Sequence, residues 1–440
     1  MSTDLKQKLN TYGLTMIAMG SSIGSGIFVT PSGTFSAIPS LFWVFIPWVF
    51  GGLAAYMGAL TFAELGARYP KAGGVYVYLK EGYGSIFGFL YGWIILLIVN
   101  TGALAALGMA FADFLNFFFH VEGVWKQGIA ITTIVGLSFL NVFGIGVSQS
   151  FSNIFSGIKI LALALIIILG LYLLGMGRSA NTGFLDMTPP LGLGTGILAA
   201  FVGVFWSFGG WHHITYLSEE AINPQRTVPR AMLYATLATT VIYLLVILAY
   251  AVLLPFDQIA NSTRVAGDAV ANVIYGGGKL VTLAISISIF GTIGIYTMSA
   301  PRIYFAMAKD GLFFKGLSKL HPKYKSPYVA IFTQAAWACL LVIIYGSFIR
   351  IITFVTFMDV AFMALATASI FIFRKRNEGE KPKFYIKAFP LIPIVYLLIS
   401  LSFVGYILID LNTEALAGCG ILILGIPAYY YFKRTGQVQS

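Results

Sequence analysis

The chain has 440 residues, of which 58% are hydrophobic and only 10% are charged, and its formal net charge is +11. A soluble domain carries about a quarter charged residues, so this composition excludes that class and is typical of an integral membrane protein. The basic residues fall in short loops and therefore indicate topology rather than binding to nucleic acid, while Cys339 and Cys419 lie in apolar stretches and predict neither a disulfide nor a metal cluster.

The apolar stretches predict about twelve membrane-spanning helices, because roughly 20 apolar residues in a helix match the hydrocarbon core. The third and eighth stretches are longer than a crossing requires, which predicts tilt or extension beyond the membrane. We therefore expect an all-α membrane protein that forms one transmembrane domain over residues 1–440. In chain order the predicted spans cover residues 13–38, 41–66, 84–118, 127–146, 150–175, 196–218, 230–254, 269–308, 328–347, 350–373, 389–410 and 414–432.

The loops between these spans alternate in charge. When both termini are placed in the cytoplasm, most of the 27 Lys and Arg residues lie on the cytoplasmic side, with clusters at residues 302–325 and 374–387. Cytoplasmic loops carry such an excess of basic residues. The sequence thus predicts a multi-pass protein of the plasma (cytoplasmic, inner) membrane, embedded in the lipid bilayer, with both termini cytoplasmic.

The first span contains a stretch that should interrupt its helix, GSSIGSGIF at residues 20–28. Backbone groups left unpaired in hydrocarbon cost several kcal/mol each, so such a break persists only where protein, water or a ligand satisfies them. If the helix resumes near Ile27, the N–H groups of Gly24, Ser25 and Gly26 are free. A helix N-terminus favours an anion, and a carboxylate is the expected guest.

The sixth span contains a matching stretch, WSFGGW at residues 206–211. A helix that stops there exposes carbonyl groups near Phe205, Trp206 and Gly209, which suit a cation such as an ammonium group. An anion site and a cation site in one cavity describe an α-amino acid. The alternative is that the glycines merely let helices pack closely. One such cluster alone would favour this alternative, whereas two symmetrically placed clusters favour a binding site.

The two breaks occupy the first span of each of two five-span halves, approximately residues 13–175 and 196–373. Because five is an odd number, the second half enters the membrane from the opposite side, which is the condition for an inverted repeat. The last two spans, approximately residues 389–432, stand outside the repeat. Paired glycine-interrupted spans of this kind indicate the substrate site of a secondary transporter.

Four stretches carry a family resemblance: SSIGSGIFVTP (21–31), FAELGARYPKAGGVYVY (62–78), FGGWHHITYLSEEAINPQR (208–226) and PRIYFAMAKDG (301–311). In their order and spacing they resemble the amino acid–polyamine–organocation (APC) superfamily, and look closest to its L-amino acid transporter-like (LAT) branch. The resemblance implies a LeuT-like fold of twelve transmembrane helices, with a five-plus-five inverted repeat, broken first and sixth helices and two extra C-terminal helices.

The resemblance also implies how the substrate binds. Backbone amides at the first break would hold the carboxylate, carbonyl groups of both breaks would hold the ammonium, and Trp206 would close over the substrate as a gate. Eukaryotic relatives join a partner chain through a cysteine after the third span, but residues 119–127 contain none, so we expect no disulfide-linked partner. No cofactor, metal or catalytic residue is expected. The predicted substrate-binding residues all lie in the two breaks: Ser22, Ile23, Gly24, Ser25, Gly26, Trp206, Ser207 and Gly209.

Lys159 lies in the middle of the fifth span, where insertion scales assign a lysine a cost of about 2.5 to 3.5 kcal/mol. Such a residue indicates function. The resemblance implies that its ammonium takes the place of a sodium ion found in related symporters, with Tyr243 of the seventh span as its partner. Because two cations repel strongly in a low-dielectric site, we expect transport without sodium, although Ser286 and Ser288 formally leave a sodium site open.

Other polar residues allow two interpretations. His212 and His213 are adjacent and do not share a helix face, so packing is favoured over a metal clamp, with a contribution of His212 to pH dependence as an alternative. Asn100 and Asp113 could contact substrate or bond neighbouring helices. Five charged residues at the cytoplasmic span ends could form a gating network or could simply be solvated at the membrane interface: Glu64, Arg68, Glu219, Glu220 and Arg226.

The sequence lacks the residues that the other functional classes require. A channel would need a polar filter, an enzyme a cluster of catalytic side chains, and ATP-driven transport a phosphate-binding loop. We therefore predict a secondary active transporter of small or neutral L-amino acids, working by sodium-independent exchange or proton-coupled uptake. The alternative, a polyamine or cationic amino acid transporter, would demand acidic residues within the spans, and few exist beyond Asp113 and Asp359.

Overall fold

The computed structural model describes residues 5–181, 186–345, 348–377, 381–409 and 413–435. For residues 348–354 and 413–417 it describes the backbone alone. Ten helical stretches of the described chain are long and apolar enough to cross a membrane. Their bounds are Thr11–Ala37, Leu41–Arg68, Ser85–Phe119, Ile145–Gly175, Leu193–Tyr216, Pro224–Leu253, Gly277–Lys309, Tyr328–Tyr345, Val355–Arg376 and Leu391–Ile409.

Two further helices, Val124–Val142 and Thr413–Arg434, occupy the places predicted for the fourth and twelfth spans, with lengths of 19 and 22 residues. Residues 346–347 of the predicted ninth span lie outside the described residues. The multi-pass helical architecture is therefore observed, and the full count of twelve spans stays a prediction. Shorter helices connect the long ones: Val75–Tyr83, Phe256–Asn261, Val265–Ala271, Ser218–Glu220 and Lys315–Ser318.

Both predicted helix breaks are present. The first span consists of the helices Thr11–Ser22 and Gly26–Ala37, separated by residues 23–25. The sixth consists of Leu193–Phe208 and the single turn His213–Tyr216, separated by residues 209–212. Gly210 has φ +94°, a left-handed conformation that glycine adopts without the steric cost a Cβ would bring.

Two spans differ from the prediction in their course. The eighth was predicted to begin at residue 269, but its helix begins at Gly277, after a separate helix Val265–Ala271 and a turn in which Gly276 has φ +74°. The third contains a π-helical turn, Ile95–Val99, between two α-helical parts. Thr101 supports this turn by donating its hydroxyl to the Leu96 carbonyl oxygen at 2.7 Å. Such turns concentrate at functional sites.

The breaks lie at the centre of the helix bundle. The first span packs against the sixth, the second against the seventh and the third against the eighth. The outward faces are apolar, with Leu161, Leu165 and Ile168 of the fifth span all more than 60% exposed. An aqueous surface rarely carries a continuous apolar face of this kind, whereas lipid tails accept it.

Candidate functional site at the two helix breaks

The first break leaves several backbone groups outside any helix. The Gly24 N–H donates to the Ser22 carbonyl oxygen at 2.8 Å, and the Ser25 carbonyl oxygen accepts from Phe28 and Val29 as the second half-helix begins. Within the described chain, the N–H groups of Ser25 and Ile27 find no acceptor, and the buried hydroxyl of Ser25 has no partner. A 12-residue half-helix thus presents free donors at its positive end.

Lys159 occupies the concave side of this break. Its ammonium donates to the carbonyl oxygens of Gly20 and Ile23, each at 2.8 Å, and to the Thr292 hydroxyl at 2.7 Å. These three bonds use all three N–H donors of a lysine, and the side chain is fully buried. The ammonium therefore lies where a small cation between the first and eighth spans would lie. Ser286 Oγ donates to the Thr282 carbonyl oxygen, and Ser288 Oγ has no partner among the described residues.

Tyr243 joins the two breaks but bonds different carbonyl groups from those of Lys159. Its hydroxyl lies 2.8 Å from the Ser22 carbonyl oxygen and 3.0 Å from that of Ser207, so a single O–H proton is shared between the two broken spans. The expected partnership with Lys159 is thus indirect, because both residues hold the same unwound segment from different spans.

The second half-helix of the first span and the first half-helix of the sixth are in close contact. A Cβ built on Gly26 would lie 2.6 Å from the Ser207 Cα. The Ser207 hydroxyl bonds Thr30 Oγ1 at 2.8 Å and the Gly203 carbonyl oxygen at 2.7 Å. The side chain of Ser207 thus serves helix packing, and only its backbone remains for the substrate-binding role predicted from the sequence.

The two spans also meet on the other side of the breaks. The Ser21 hydroxyl donates to the Gly210 carbonyl oxygen at 2.9 Å, and a Cβ on Gly210 would lie 2.8 Å from the Ser21 carbonyl oxygen. The Gly209 N–H donates to the Trp206 carbonyl oxygen at 3.2 Å. Close approach of backbone to backbone therefore accounts for glycine at positions 26 and 210.

A cavity lies beside the second break, between the third, sixth, eighth and tenth spans. Trp206, Gly209 and Gly210 line it, whereas Gly24, Ser25 and Gly26 do not. The cavity volume is about 30 Å³, far below the roughly 300 to 1,000 Å³ of small-molecule sites. The predicted anion and cation sites are therefore not joined in one open cavity here, and a substrate would require movement of the lining side chains.

The far wall of this cavity is polar. His212 Nε2 lies 3.6 Å from Asp359 Oδ1, and Asp359 keeps 18% of its side-chain surface exposed. His213 bonds Ser299 Oγ at 2.7 Å through Nδ1 and packs its ring 4.3 Å from that of Tyr296. Both histidines line the cavity and pack against Tyr216, but their polar partners differ. The participation of Asp359 was missed, although a carboxylate within a span is itself a functional signal.

Asn100 and Asp113, for which the sequence left two roles open, have different environments in the structure. Asn100 donates its amide to Gln334 Oε1 at 2.9 Å and to the Tyr296 carbonyl oxygen at 3.4 Å, and it also lines the cavity. Asp113 forms an ion pair with Lys126 at 2.9 Å and is half exposed. Asn100 therefore both links helices and faces the cavity, whereas Asp113 belongs to a surface ion pair.

The end of the bundle predicted to be cytoplasmic is closed by buried ion pairs. Glu64 accepts from Arg68, from Arg374 and from the Ile386 N–H, which joins the second span to the tenth and to the loop that follows it. The carboxylate of Glu64 is fully buried, and a buried carboxylate is stable only when paired and hydrogen-bonded.

A second pair closes the same end. Glu220 accepts from Arg302 at 2.9 and 3.1 Å, and its carbonyl oxygen accepts from the N–H groups of Lys8 and Leu9 at 2.9 and 3.0 Å. Glu219 accepts from the Ala72 N–H, whereas Arg226 is exposed. Four of the five residues considered for a gating network therefore take part in interactions that close this end.

Comparison with known proteins shows which family the chain matches. The family model described as amino acid permease matches residues 9–417. The chain is 31% identical over 439 residues to the serine/threonine exchanger SteT of Bacillus subtilis, with 98% of both chains covered. It is 29% identical to the b(0,+)-type amino acid transporter 1 of Homo sapiens (98% of this chain, 89% of the relative). It is 28% identical to the large neutral amino acids transporter small subunit 2 of Mus musculus (97% and 81%).

Proposed function

The chain belongs to the amino acid permease family, and on this premise we propose that it is a secondary active transporter that exchanges small or neutral L-amino acids without sodium. The relatives are amino acid transporters and exchangers, not enzymes, so amino acid transport across a membrane is the activity of the family. The choice of substrate, of exchange and of sodium independence is the proposal.

The observation that carries the proposal is the set of bonds made by Lys159. Its ammonium holds two backbone carbonyl oxygens of the first break together with the Thr292 hydroxyl. A sodium ion at this position would need the same oxygen atoms and would lie against a buried positive charge. A fixed ammonium therefore supports transport that uses no sodium gradient.

The substrate would bind as a zwitterion between the breaks. We assign its carboxylate to the backbone amides of Gly24, Ser25 and Gly26, since the Ser25 N–H has no partner within the described chain. The Gly24 N–H was predicted to be free but donates to the Ser22 carbonyl oxygen, so it would have to turn away from that oxygen to bind the substrate. The Ser22 carbonyl oxygen already accepts from Gly24 and Tyr243, which fills its two lone pairs. The ammonium would therefore rest mainly on the carbonyl groups of Trp206 and Gly209.

Trp206 would act as the gate of this site. It lines a cavity of about 30 Å³, so an amino acid fits only after a large side chain has moved aside. Gly209 has no side chain and leaves room for that of the substrate. Ile23 and Ser207 would flank the substrate through their backbone.

The same proposal extends to topology. We place the protein in the plasma (inner) membrane with twelve spans, both termini cytoplasmic, and inverted repeats at about residues 13–175 and 196–373. The contacts of the first span with the sixth, the second with the seventh and the third with the eighth support the repeat. We further propose that it works without a disulfide-linked partner, because residues 119–127 contain no cysteine.

Counterflow in proteoliposomes tests the proposal. Vesicles preloaded with an unlabelled amino acid are expected to accumulate the labelled one equally in sodium and in choline buffer, and vesicles without internal amino acid to accumulate far less. Protein-free vesicles give the background. A sodium requirement, or equal uptake with and without internal amino acid, would contradict sodium-independent exchange.

A second candidate is a transporter of cationic amino acids or polyamines. The observation in its favour is Asp359, an acidic side chain in the wall of the cavity. One carboxylate matches one positive charge, so it suits a cationic amino acid better than a polyamine. A panel of labelled neutral and cationic amino acids in the same assay separates the two candidates.

A further inference from the structure

Asp359 is a carboxylate without a fixed counter-charge. It lies in the tenth span on the cavity wall, and its Oδ1 has no hydrogen-bond partner among the residues that the structure describes. Within the described chain, no lysine or arginine forms an ion pair with it, and the nearest basic group is His212 Nε2 at 3.6 Å. That separation is too long for a hydrogen bond. The two groups are therefore close neighbours without a direct hydrogen bond.

The surroundings of the pair do not supply a charge either. His212 packs against the rings of Trp211, His213 and Tyr216. His213 Nδ1 is hydrogen-bonded to Ser299 Oγ. The groups near Asp359 from the other packed elements are phenol hydroxyls: Tyr91, Tyr216, Tyr296 and Tyr396. All of these are neutral, so the net charge of the site depends on Asp359 and His212 alone.

An ionised carboxylate in such a place is costly unless it is compensated. One proton compensates it, either on the carboxyl group itself or on the imidazole, since both arrangements leave the pair without net charge. A cation from outside would compensate it equally well. The pair is therefore expected to hold one positive charge at a time, a proton or a ligand cation.

We propose that His212 and Asp359 form a one-proton site whose proton is exchanged for the positive charge of a substrate side chain. This inference rests on the proposed amino acid transport. When a cationic amino acid enters, the O–H or N–H bond of the pair breaks, the proton leaves to water, and the substrate's ammonium takes its place beside Asp359. The charge of the site is unchanged. A neutral amino acid leaves the proton where it is.

Asn100 provides an independent second acceptor. Its amide nitrogen is bound by Gln334 Oε1 and the Tyr296 carbonyl oxygen, which fixes the orientation of the group. Its Oδ1 is buried and has no partner in the described part of the chain, and the residue lines the same cavity. Two unpartnered acceptor oxygens in one wall would be unusual in a purely structural contact, and they suit a ligand that brings N–H donors.

The inference predicts a selectivity that depends on pH. Raising the pH removes the competing proton, so uptake of lysine relative to leucine should rise as the pH is raised. Asp359→Asn removes the charge, and the lysine-to-leucine ratio should fall about tenfold or more and become independent of pH. Asp113→Asn is the matched control, because that carboxylate belongs to a surface ion pair, and it should leave the ratio unchanged.

Two further measurements test the pair itself. Adding lysine to the purified wild-type protein in weakly buffered solution with a pH dye should release close to one proton per site, whereas leucine, or lysine added to Asp359→Asn, should release none. His212→Gln removes one of the two groups that can hold the proton, so the proton should be held less tightly and the midpoint of the pH dependence of lysine uptake should move to lower pH.

The outcomes separate this inference from the proposed function. Absence of counterflow with every amino acid would overturn both. Normal leucine exchange with no lysine binding at any pH would overturn the proton site and leave neutral amino acid exchange standing. An unchanged lysine-to-leucine ratio in Asp359→Asn, or an unchanged pH profile in His212→Gln, would also overturn it.

Discussion

The Lys159 ammonium lies 2.8 Å from the carbonyl oxygen of Ile23, at the point where the first span stops being helical. In a continuous helix the carbonyl groups of Gly20 and Ile23 would accept from residues 24 and 27. The Gly24 N–H is instead turned toward the Ser22 carbonyl oxygen, and Lys159 takes over both orphaned acceptors. One side chain of the fifth span thus replaces two backbone bonds of the first.

Lys159→Ala should therefore slow exchange about tenfold or more, because two buried carbonyl groups lose the ammonium and a lost donor costs about 1 to 3 kcal/mol. Only the Thr292 hydroxyl, which lies 3.0 and 3.3 Å from the carbonyl oxygens of Gly20 and Ile23, would remain to serve both. Counterflow in sodium and in choline buffer is the measurement. Lys126→Ala, at a surface ion pair, is the control and should retain activity. Full exchange in Lys159→Ala would remove the lysine from the mechanism.

Gly26→Ala should destabilise the protein by about 1 to 3 kcal/mol, as overpacking does, and impair transport. The added methyl would lie 2.6 Å from the Ser207 Cα, so the two broken helices would have to separate. Gly33→Ala lies in the same half-helix with nothing within 4 Å and should be tolerated. Melting temperatures in detergent compare the pair, and equal values would contradict this packing.

Tyr243→Phe should slow exchange without unfolding the protein. The ring keeps its contacts with Trp48 and Phe208, whose centroids lie 5.8 and 5.1 Å away. What is lost is the hydroxyl shared by the carbonyl oxygens of Ser22 and Ser207. Initial rates of counterflow, read beside the melting temperature, test this. A wild-type rate would mean that the shared hydroxyl does not matter for transport.

Trp206→Ala should cripple turnover even where binding persists, because the indole is proposed to seal the substrate in the cavity that it lines. Binding is measured by thermal shift with added amino acid and turnover by counterflow. Wild-type exchange in this variant would rule out the gate.

Amino acid methyl esters and decarboxylated analogues should compete poorly with the labelled substrate. They lack the anion that the amides of Gly24, Ser25 and Gly26 are proposed to hold at the start of a half-helix. Competition curves for an amino acid and its ester give the comparison, and coincident curves would refute backbone recognition of the carboxylate.

The helix breaks could be predicted from the sequence because their cause is local. Residues 20–28 and 206–211 are rich in glycine and serine, and an interrupted helix in an apolar span has few physical explanations. The buried position of Lys159 could be predicted for a similar reason, since a central lysine in a long apolar run must face the protein interior.

Other features depend on which residues meet across the bundle, and no single stretch encodes them. Asp359 and His212 are far apart in sequence, and their approach follows from the packing of the tenth span beside the second break. The π-helical turn at Ile95–Val99 shifts Asn100 by part of a turn, which no apolar pattern indicates. Ser207 was predicted at the substrate-binding break, and no sequence pattern indicates that its side chain bonds Thr30 of the first span, where Gly26 approaches it closely.

Glu220 connects three separate parts of the chain at the closed end. Its carboxylate holds Arg302 and its carbonyl oxygen holds the N–H groups of Lys8 and Leu9. Because both groups belong to one residue, a displacement of its backbone strains the bonds to all three parts at once. Opening that end should therefore be an all-or-none event, in which the first residues of the chain, the sixth span and the eighth part together, and intermediates with half the contacts broken should be scarcely populated.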